Sequence, residues 1–176
     1  IGETPLSSFL DVVTETRFGY PGEPGFNIYP GQVIEDQLGI EIKNSAGWIT
    51  RTTAPNTNEI QIDLAFPKGV NVINLKDGKR HSLALSFEVQ YRAVGAPAWI
   101  GIPPLYLNER TVDVIRRTVR MGALPAGSYE VRVRRVQADY DEQVSEDWQY
   151  SSQSVLTAIR SMRYVTPVNF GKPLCM

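Results

Sequence analysis

Apolar and polar residues alternate along two long segments in the middle of the chain. The apolar faces of these segments consist of Ile60, Ile62, Leu64 and Phe66, and of Leu83, Leu85, Phe87, Val89 and Tyr91. The opposite faces consist of Glu59, Gln61 and Asp63, and of Ser82, Ser86, Glu88, Gln90 and Arg92. Because successive side chains of a strand point to opposite sides, this pattern predicts two strands that each bury one face.

Weaker alternation predicts further strands toward the C-terminus. These strands are 112–121, 128–137 and 153–163. In the first of them the apolar face changes parity between Val114 and Ile115, which predicts a β-bulge. Asp77-Gly78, between the two long segments, predicts the tight turn of a small hairpin.

Residues 124–136 indicate the fold most clearly. A turn that contains Pro125 leads into a strand on which Tyr129, Val131 and Val133 share one face. A Tyr at this place is typical of a tyrosine corner, in which the ring packs inward and the hydroxyl bonds to backbone a few residues upstream. Six or seven strands without a convincing helix close naturally into two packed sheets. We therefore predict an all-β fold, an antiparallel β-sandwich of the fibronectin type III or immunoglobulin-like type.

The 176 residues suffice for one domain and an extension. The composition changes near residue 45, where a Gly/Pro-rich opening gives way to the alternating segments. We predict three parts: an N-terminal arm or part of a neighbouring domain over 1–45, the β-sandwich domain over 46–165, and the start of a following segment over 166–176. Since the chain begins at Ile1 and ends in an apolar stretch, we expect it to be a piece of a longer polypeptide.

The opening gives mixed local signals. Thr4 and Pro5 favour a short helix, whereas the β-branched Val12 and Val13 oppose it. Tyr-Pro-Gly triplets at 20–22 and 29–31 predict turns. We therefore expect a turn-rich extension that wraps the surface as an arm.

Composition excludes several classes of function. A formal net charge of −1 argues against a nucleic-acid binder held by bulk electrostatics. Apolar runs stay well short of the roughly 20 residues that a membrane helix needs, so we expect no membrane insertion. The single cysteine, Cys175, excludes an internal disulfide and any multi-Cys zinc site within these residues.

The residues that enzymes use are few and scattered. The one histidine, His81, lies at the start of a predicted strand, and we predict a surface residue there rather than a general base. Serines are common, but none stands in a Gly-x-Ser-x-Gly elbow, and no Gly-rich phosphate loop occurs. We predict no catalytic, cofactor-binding or metal-binding residue, no cofactor, and no enzymatic activity.

An acidic cluster follows the 128–137 strand. It consists of Asp139, Asp141, Glu142, Glu146 and Asp147. The Asp-x-Asp spacing begins a calcium loop, but Val144 stands where such a loop requires Gly, and Tyr150 where it requires a bidentate Glu. We predict a solvated acidic loop without calcium.

Basic and aromatic residues leave two alternatives each. The arginines are Arg116, Arg117, Arg120, Arg132, Arg134 and Arg135, and we expect the two strands that carry them to lie close together. Ion pairing across adjacent strands explains these arginines better than a nucleic-acid face. The aromatic residues Trp48, Trp99, Trp148 and Tyr150 either line a surface that binds carbohydrate or protein or belong to the core, as most tryptophans of a sandwich do.

Several segments together resemble one known family. They are Trp48–Thr53, Ile60–Pro67 with Gly69, Gln90-Tyr91-Arg92 with Trp99, Gly127–Arg135, and Trp148. In order and combination they are similar to the central fibronectin-like region of the tail-tip attachment protein family (host-specificity protein J) of lambda-type phages and prophages. The similarity covers roughly residues 46–176, and each single motif also occurs in other fibronectin-like domains.

The resemblance implies a structural domain at the distal end of a long tail. It implies assembly as a trimer of the full-length protein, contacts with other tail proteins, and a place in the virion after synthesis in the bacterial cytoplasm. Receptor binding is usually attributed to other, more C-terminal parts of such proteins. The alternative is an independent surface binding module, for carbohydrate or for adhesion, and an accessory domain of a secreted hydrolase is a weaker third hypothesis.

Overall fold

The computed structural model describes residues 14–18, 20, 22, 23, 31–140, 143–145 and 147–164. This part of the chain contains thirteen β-strands and no helix. The strands are β1 (Gln32–Glu41), β2 (Ile49–Thr52), β3 (Glu59–Phe66), β4 (Asn71–Asn74), β5 (Arg80–His81), β6 (Leu83–Ala93), β7 (Ile100–Gly101), β8 (Leu105–Glu109), β9 (Ile115–Met121), β10 (Tyr129–Arg135), β11 (Gln143–Ser145), β12 (Trp148–Ser151) and β13 (Val155–Arg163).

The strands form two large sheets and a small one. The first sheet has the order β1-β13-β3-β9, and the second has the order β2-β10-β6-β7 with β8 also paired to β6. The small sheet has the order β11-β12-β4-β5. Antiparallel pairs such as β3 with β9 and β6 with β10 make up these sheets. The predicted all-β, antiparallel sandwich is confirmed.

The core lies between the two large sheets. The alternating apolar faces predicted for β3 and β6 are buried there, and Phe66 of β3 meets Phe87 of β6 edge-on, with ring centroids 5.6 Å apart. Tyr129, Val131 and Val133 of β10 belong to the same cluster. Burying these side chains is the main term that stabilises the domain, since a fully buried aliphatic or aromatic side chain contributes about 1.5–3 kcal/mol.

The tyrosine corner is confirmed. Tyr129 is 6% exposed, and its hydroxyl donates a hydrogen bond to the carbonyl oxygen of Pro125 at 2.5 Å. Its backbone N–H donates to the hydroxyl of Thr53 at 3.0 Å. Burial raises the pKa of the Tyr129 hydroxyl, with a smaller contribution from Tyr91. The corner thus ties the turn before β10 to the strand itself.

The predicted bulge before Ile115 is wrong. β9 begins at Ile115 and pairs with β3 in one unbroken register down to Met121, while Val112 and Val114 lie exposed before the strand. A register shift occurs instead in β13, between Leu156 and Ala158. The parity change in the sequence therefore marks where a strand begins and not an irregularity within it.

The predicted hairpin is confirmed at β4 and β5. The N–H of Gly78 donates to the carbonyl of Asn74 at 2.8 Å, and that of Asn74 donates to Lys79 at 2.9 Å. Gly78 has a φ of 68°, a left-handed conformation that glycine adopts without steric cost. This turn places His81 opposite Val72.

The chain divides into two compact units, Ile1–Gln32 with Tyr164–Met176, and Val33–Arg163. In the first unit, the N–H of Glu23 donates to the carbonyl of Tyr20 at 3.0 Å, which confirms a turn at the first Tyr-Pro-Gly triplet. The mixed helix signals after Thr4, the second triplet, Cys175 and the segment 166–176 fall outside the described residues, wholly or in large part. The boundary near residue 45 stays a prediction; β1 precedes it and pairs with β13.

Candidate functional site

The outward face of the second sheet carries paired arginines. Arg132 and Arg134 of β10 lie opposite Gln90 and Glu88 of β6 in the antiparallel register. Arg132 donates from Nε and Nη2 to Oε1 of Gln90, at 3.0 and 2.6 Å. Arg134 donates from Nε to Oε2 of Glu88 at 2.8 Å. Each outward arginine of β10 is thus held by the residue directly across the strand pair.

In a third cross-strand pair the arginine is on β6 and its acceptor is on β10. Arg92 of β6 lies opposite Glu130 of β10 and donates from Nε to its Oε2 at 2.6 Å. Both side chains are 26% exposed. Partial exposure moderates the cost of removing charges from water, while the short cross-strand bond fixes the guanidinium plane.

Two tryptophans stack on these guanidinium groups. Trp48, just before β2, has Arg134 at 4.6 Å and Arg132 at 4.2 Å from its ring centroid. Trp99, just before β7, has Arg132 at 4.0 Å and Arg92 at 4.4 Å. Arg132 therefore contacts both rings, and the five side chains stack in the order Arg134, Trp48, Arg132, Trp99, Arg92. We call this arrangement the Arg–Trp ladder.

The ladder concentrates three positive charges on one face. Burial lowers the pKa of Arg132, and the charges of Arg92 and Arg134 lower it further. Stacking on indole rings and the bonds to Gln90, Glu88 and Glu130 offset this repulsion. The result is a half-buried patch of large planar side chains that has little rotamer freedom left to lose on binding.

The expectation that most tryptophans lie in the core is wrong. All three are half-buried and outside the core cluster. Trp48 and Trp99 belong to the ladder, and the ring of Trp148 packs edge-on against His81 with centroids 5.4 Å apart. The core cluster consists of Phe66, Phe87, Tyr129, Met121 and aliphatic residues.

The expected proximity of the arginine-bearing strands is also wrong. Arg116, Arg117 and Arg120 are on β9 in the first sheet, whereas Arg132, Arg134 and Arg135 are on β10 in the second. Ion pairing across adjacent strands is confirmed: Arg120 pairs with Glu59 at 2.9 Å and Arg134 with Glu88 at 2.7 Å. The carboxylates of these two pairs lie on strands that neighbour β9 and β10.

A cleft opens on the other side of β10. It has a volume of about 430 Å³, and its lining includes Arg135, Asn71, Tyr140, Tyr150 and Ser152. The rings of Tyr140 and Tyr150 stack at 4.6 Å with an interplanar angle of 7°. Arg135 is only 4% exposed although it belongs to the same arginine run as the ladder. We call this feature the Arg135 cleft.

A sequence model of one family matches most of this architecture. It is described as Tip attachment protein J, FNIII-A domain, and it matches residues 32–164, the range that contains all thirteen strands described above. The chain belongs to this family. Comparison with curated protein sequences gives no match.

Membership in the J-type FNIII-A family accounts for the fold and the broad class of the chain. It is a fibronectin-like domain of a phage tail attachment protein, as the resemblance implied. The resemblance was located over residues 46–176, and the family match begins earlier, at residue 32, where β1 starts.

The remaining candidates in the sequence of this FNIII-A domain are His81 and the acidic cluster. His81 is exposed, as predicted, and lies on the small sheet. Asp139 accepts hydrogen bonds from the backbone N–H groups of Asn44 and Ser45, at 2.7 and 2.9 Å. Asp147 pairs with Lys76 at 2.8 Å. Asp141, Glu142 and Glu146 fall outside the described residues.

The described residues were also searched for metal-binding groups and for membrane-spanning helices. Within the described ranges, no group of three or more His, Cys, Asp or Glu side chains is arranged to hold a metal ion. A search of the same residues for a helix long and apolar enough to cross a membrane finds none. Absence of calcium from the acidic loop stays a prediction.

Neither the Arg–Trp ladder nor the Arg135 cleft was predicted from the sequence. To predict the ladder, one would have to know the strand register that places Arg132 opposite Gln90. One would also have to know that two tryptophans distant in the sequence approach the same arginine. Arg135 carried a readable signal: it continues the parity of Tyr129, Val131 and Val133 and therefore points inward. Grouping it with Arg132 and Arg134 by proximity in sequence concealed that difference.

Proposed function

We propose that this domain is a structural module of a phage tail tip, which takes part in tail assembly and host attachment through surface contacts. The observation that carries the proposal is the Arg–Trp ladder, considered together with the family match. Trp and Arg are the residues most enriched where protein interfaces derive their binding energy. A ladder of such residues, already held in place, suits contact with another protein.

The partners follow from this role. They are other copies of the same protein, which is a trimer at full length, and other tail proteins. The protein is made in the bacterial cytoplasm and is used in the virion, at the tail tip. The outward residues of β3 and β6 are mostly polar, so we expect the isolated 176-residue chain to be monomeric or weakly associating.

The role we propose is not catalytic. Within the described residues, the one imidazole packs against Trp148, and the ladder arginines are already engaged by acceptors and rings. A catalytic group needs free hydrogen-bonding capacity toward a substrate. These contacts support a role in binding and spacing.

The rival is an independent module that binds carbohydrate through Trp48 and Trp99. Sugar rings bind by stacking on an open aromatic face. Guanidinium groups lie 4.0 and 4.4 Å from the Trp99 ring centroid, so a sugar would have to displace a charged group that is hydrogen-bonded to β6 or β10. The ladder therefore favours a protein partner.

The test compares tail assembly by phage that carry Trp99→Ala or, as a matched control, Trp148→Ala. Both changes remove a half-buried indole, but only the first removes a ladder residue. We expect Trp99→Ala to reduce infectious particles at least about tenfold, because an interface tryptophan typically contributes about 2 kcal/mol or more. Thermal unfolding of each variant chain checks that it stays folded at the growth temperature. Equal yields from the two folded variants would contradict the proposal, and binding of the wild-type chain to a glycan array would favour the rival.

A further inference from the structure

Arg135 is a buried arginine at the edge of the core. It ends β10 on the inward face that Tyr129, Val131 and Val133 occupy, and it is 4% exposed. Burial lowers the pKa of its guanidinium, while Asp139, Tyr140 and Glu41 act in the opposite direction. A guanidinium nevertheless stays charged in proteins, so a permanent positive charge is held at this end of the sandwich.

Only one edge of that guanidinium is used. Nη1 donates to the carbonyl oxygen and the hydroxyl of Ser152, at 3.1 and 3.3 Å. Nε and Nη2 are buried and have no hydrogen-bond partner among the described residues. These two nitrogens form the edge that grips a carboxylate with parallel bonds. Arg120 directs the same edge, Nε and Nη2, at Oε1 of Glu59.

Arg135 belongs to the lining of the Arg135 cleft, and its unused edge is buried. Asn71 lines the same cleft, donates from Nδ2 to the carbonyl of Thr111 at 2.8 Å, and has a buried Oδ1 without a partner in the described part of the chain. Buried polar atoms without partners are rare in proteins, because leaving such an atom unpaired lowers stability. Two residues that line one cleft therefore carry buried polar atoms without partners, a pair of charged donors on Arg135 and an acceptor on Asn71.

The nearby carboxylate does not fill the edge. The Asp139 carboxylate accepts hydrogen bonds from the backbone of Asn44 and Ser45 instead. Tyr140 is stacked on Tyr150 on one side and lies 5.5 Å from the Arg135 guanidinium, so its ring offers little open face for a sugar. The lining favours a ligand that binds by hydrogen bonds over one that binds by stacking.

We propose that the Arg135 cleft binds an acidic peptide segment of a partner protein, whose side-chain carboxylate meets Nε and Nη2 of Arg135 and whose backbone N–H meets Oδ1 of Asn71. This inference does not rest on the tail-tip role, because the cleft lies on the opposite side of β10 from the ladder. The carboxylate supplies planar paired acceptors, and the adjacent peptide N–H supplies the donor that Asn71 lacks.

The test uses the 176-residue chain and blocked glutamate, N-acetyl-glutamate N-methylamide, as the probe. NMR of arginine side chains reports on Nε–H of Arg135 directly. We expect a saturable shift of that signal at millimolar probe. Arg135→Lys, which keeps the charge but loses the paired donors, should weaken binding at least about tenfold. In this comparison binding to both proteins is read from the backbone amide signals of Asn71 and Ser152, which line the cleft and remain in the variant. Arg116→Lys, an exposed position on β9 outside the lining of the cleft, should bind like the wild type.

A second variant and three control compounds test the chemistry of recognition. Asn71→Asp keeps the shape of the side chain and places a negative charge beside the ligand, so it should also weaken binding, and it provides a second variant if Arg135→Lys fails to fold. Blocked glutamine should give no shift at Nε of Arg135. An equal response to blocked glutamine, to sulfate or to glucuronate would overturn the proposal, as would a wild-type chain in which that signal does not move.

Discussion

The arginines on the two faces of β10 differ in how many of their guanidinium nitrogens have hydrogen-bond partners. On the outward face, Arg132 and Arg134 each have a cross-strand acceptor on β6 and a tryptophan ring within 5 Å. One residue further along, Arg135 points inward and uses only Nη1 within the described residues. Arg134 and Arg135, which are adjacent in the sequence, thus have different surroundings because successive side chains of a strand point to opposite faces.

The difference shows what each face of the strand can supply. On the outer face, each arginine of β10 lies directly opposite a polar residue of β6, which accepts its hydrogen bond. The inner face borders an apolar core that offers few acceptors, and the cost of a half-satisfied guanidinium there is not recovered by the fold alone. Groups that cost stability in this way are common where a protein binds something.

The largest effect is expected from the core beneath both faces. Phe87→Ala should lower the free energy of unfolding by about 3–5 kcal/mol, because it removes a fully buried ring and leaves a cavity beside Phe66. Urea denaturation measures the change. A loss below about 1 kcal/mol would show that the two sheets do not share this core.

Removing a ladder ring tests the outer face. Trp99→Ala should lower the free energy of unfolding by about 1–3 kcal/mol, because two guanidinium groups lose their stacking partner. Trp148→Ala, whose ring contacts His81, is the control and should cost less. Equal losses from the two variants would indicate that the indole area counts and that the stacking does not.

The tyrosine corner is expected to give a smaller effect. Tyr129→Phe should cost about 0.5–1.5 kcal/mol, the net contribution of one hydrogen bond, here from its hydroxyl to Pro125. Tyr91→Phe is the matched control, since its ring packs edge-on against Tyr129 and no hydrogen bond of its hydroxyl is found in the described residues. A neutral Tyr129→Phe would argue against the corner.

Acid should weaken the loop beside the Arg135 cleft. Burial by itself raises the pKa of Asp139, but hydrogen bonds from Ser45 and Asn44 and the charge of Arg135 bring it below its ordinary value of 3.8. Because the pKa is lower in the folded state, this contribution is complete above pH 3.8 and is lost as the pH falls through the folded pKa. Asp139→Asn should therefore show a shallower loss of stability with acid, and identical profiles would contradict this assignment.

Period-2 alternation was enough to predict the strands that bury one face. The apolar faces of Ile60 to Phe66, Leu83 to Val89, and Tyr129 to Val133 lie in the core as predicted, because burial of one face fixes the parity of a strand, and Tyr91 packs against the core partly buried. The tyrosine corner and the Asp-Gly hairpin were predictable for a different reason, because each depends on residues that are close together in the sequence.

The ladder depends on contacts between residues that are distant in the sequence. Trp48 and Trp99 approach Arg132 only after β2, β10, β6 and β7 have assembled, so their stacking follows from strand order. The assignment of the arginines of β9 and β10 to neighbouring strands failed for that reason. Arg135 is the exception, since its parity with Tyr129 was visible.

The most direct test compares Arg132→Met with Arg135→Met by urea denaturation. Both variants replace a guanidinium of β10 with an apolar side chain of similar length. Arg132→Met should lose about 1–3 kcal/mol, since it breaks charged hydrogen bonds and two stacking contacts. Arg135→Met should change stability by less than about 1 kcal/mol or should raise it, because relief of a buried, half-satisfied charge offsets the lost bonds to Ser152. A larger loss from Arg135→Met than from Arg132→Met would contradict the distinction between the two faces.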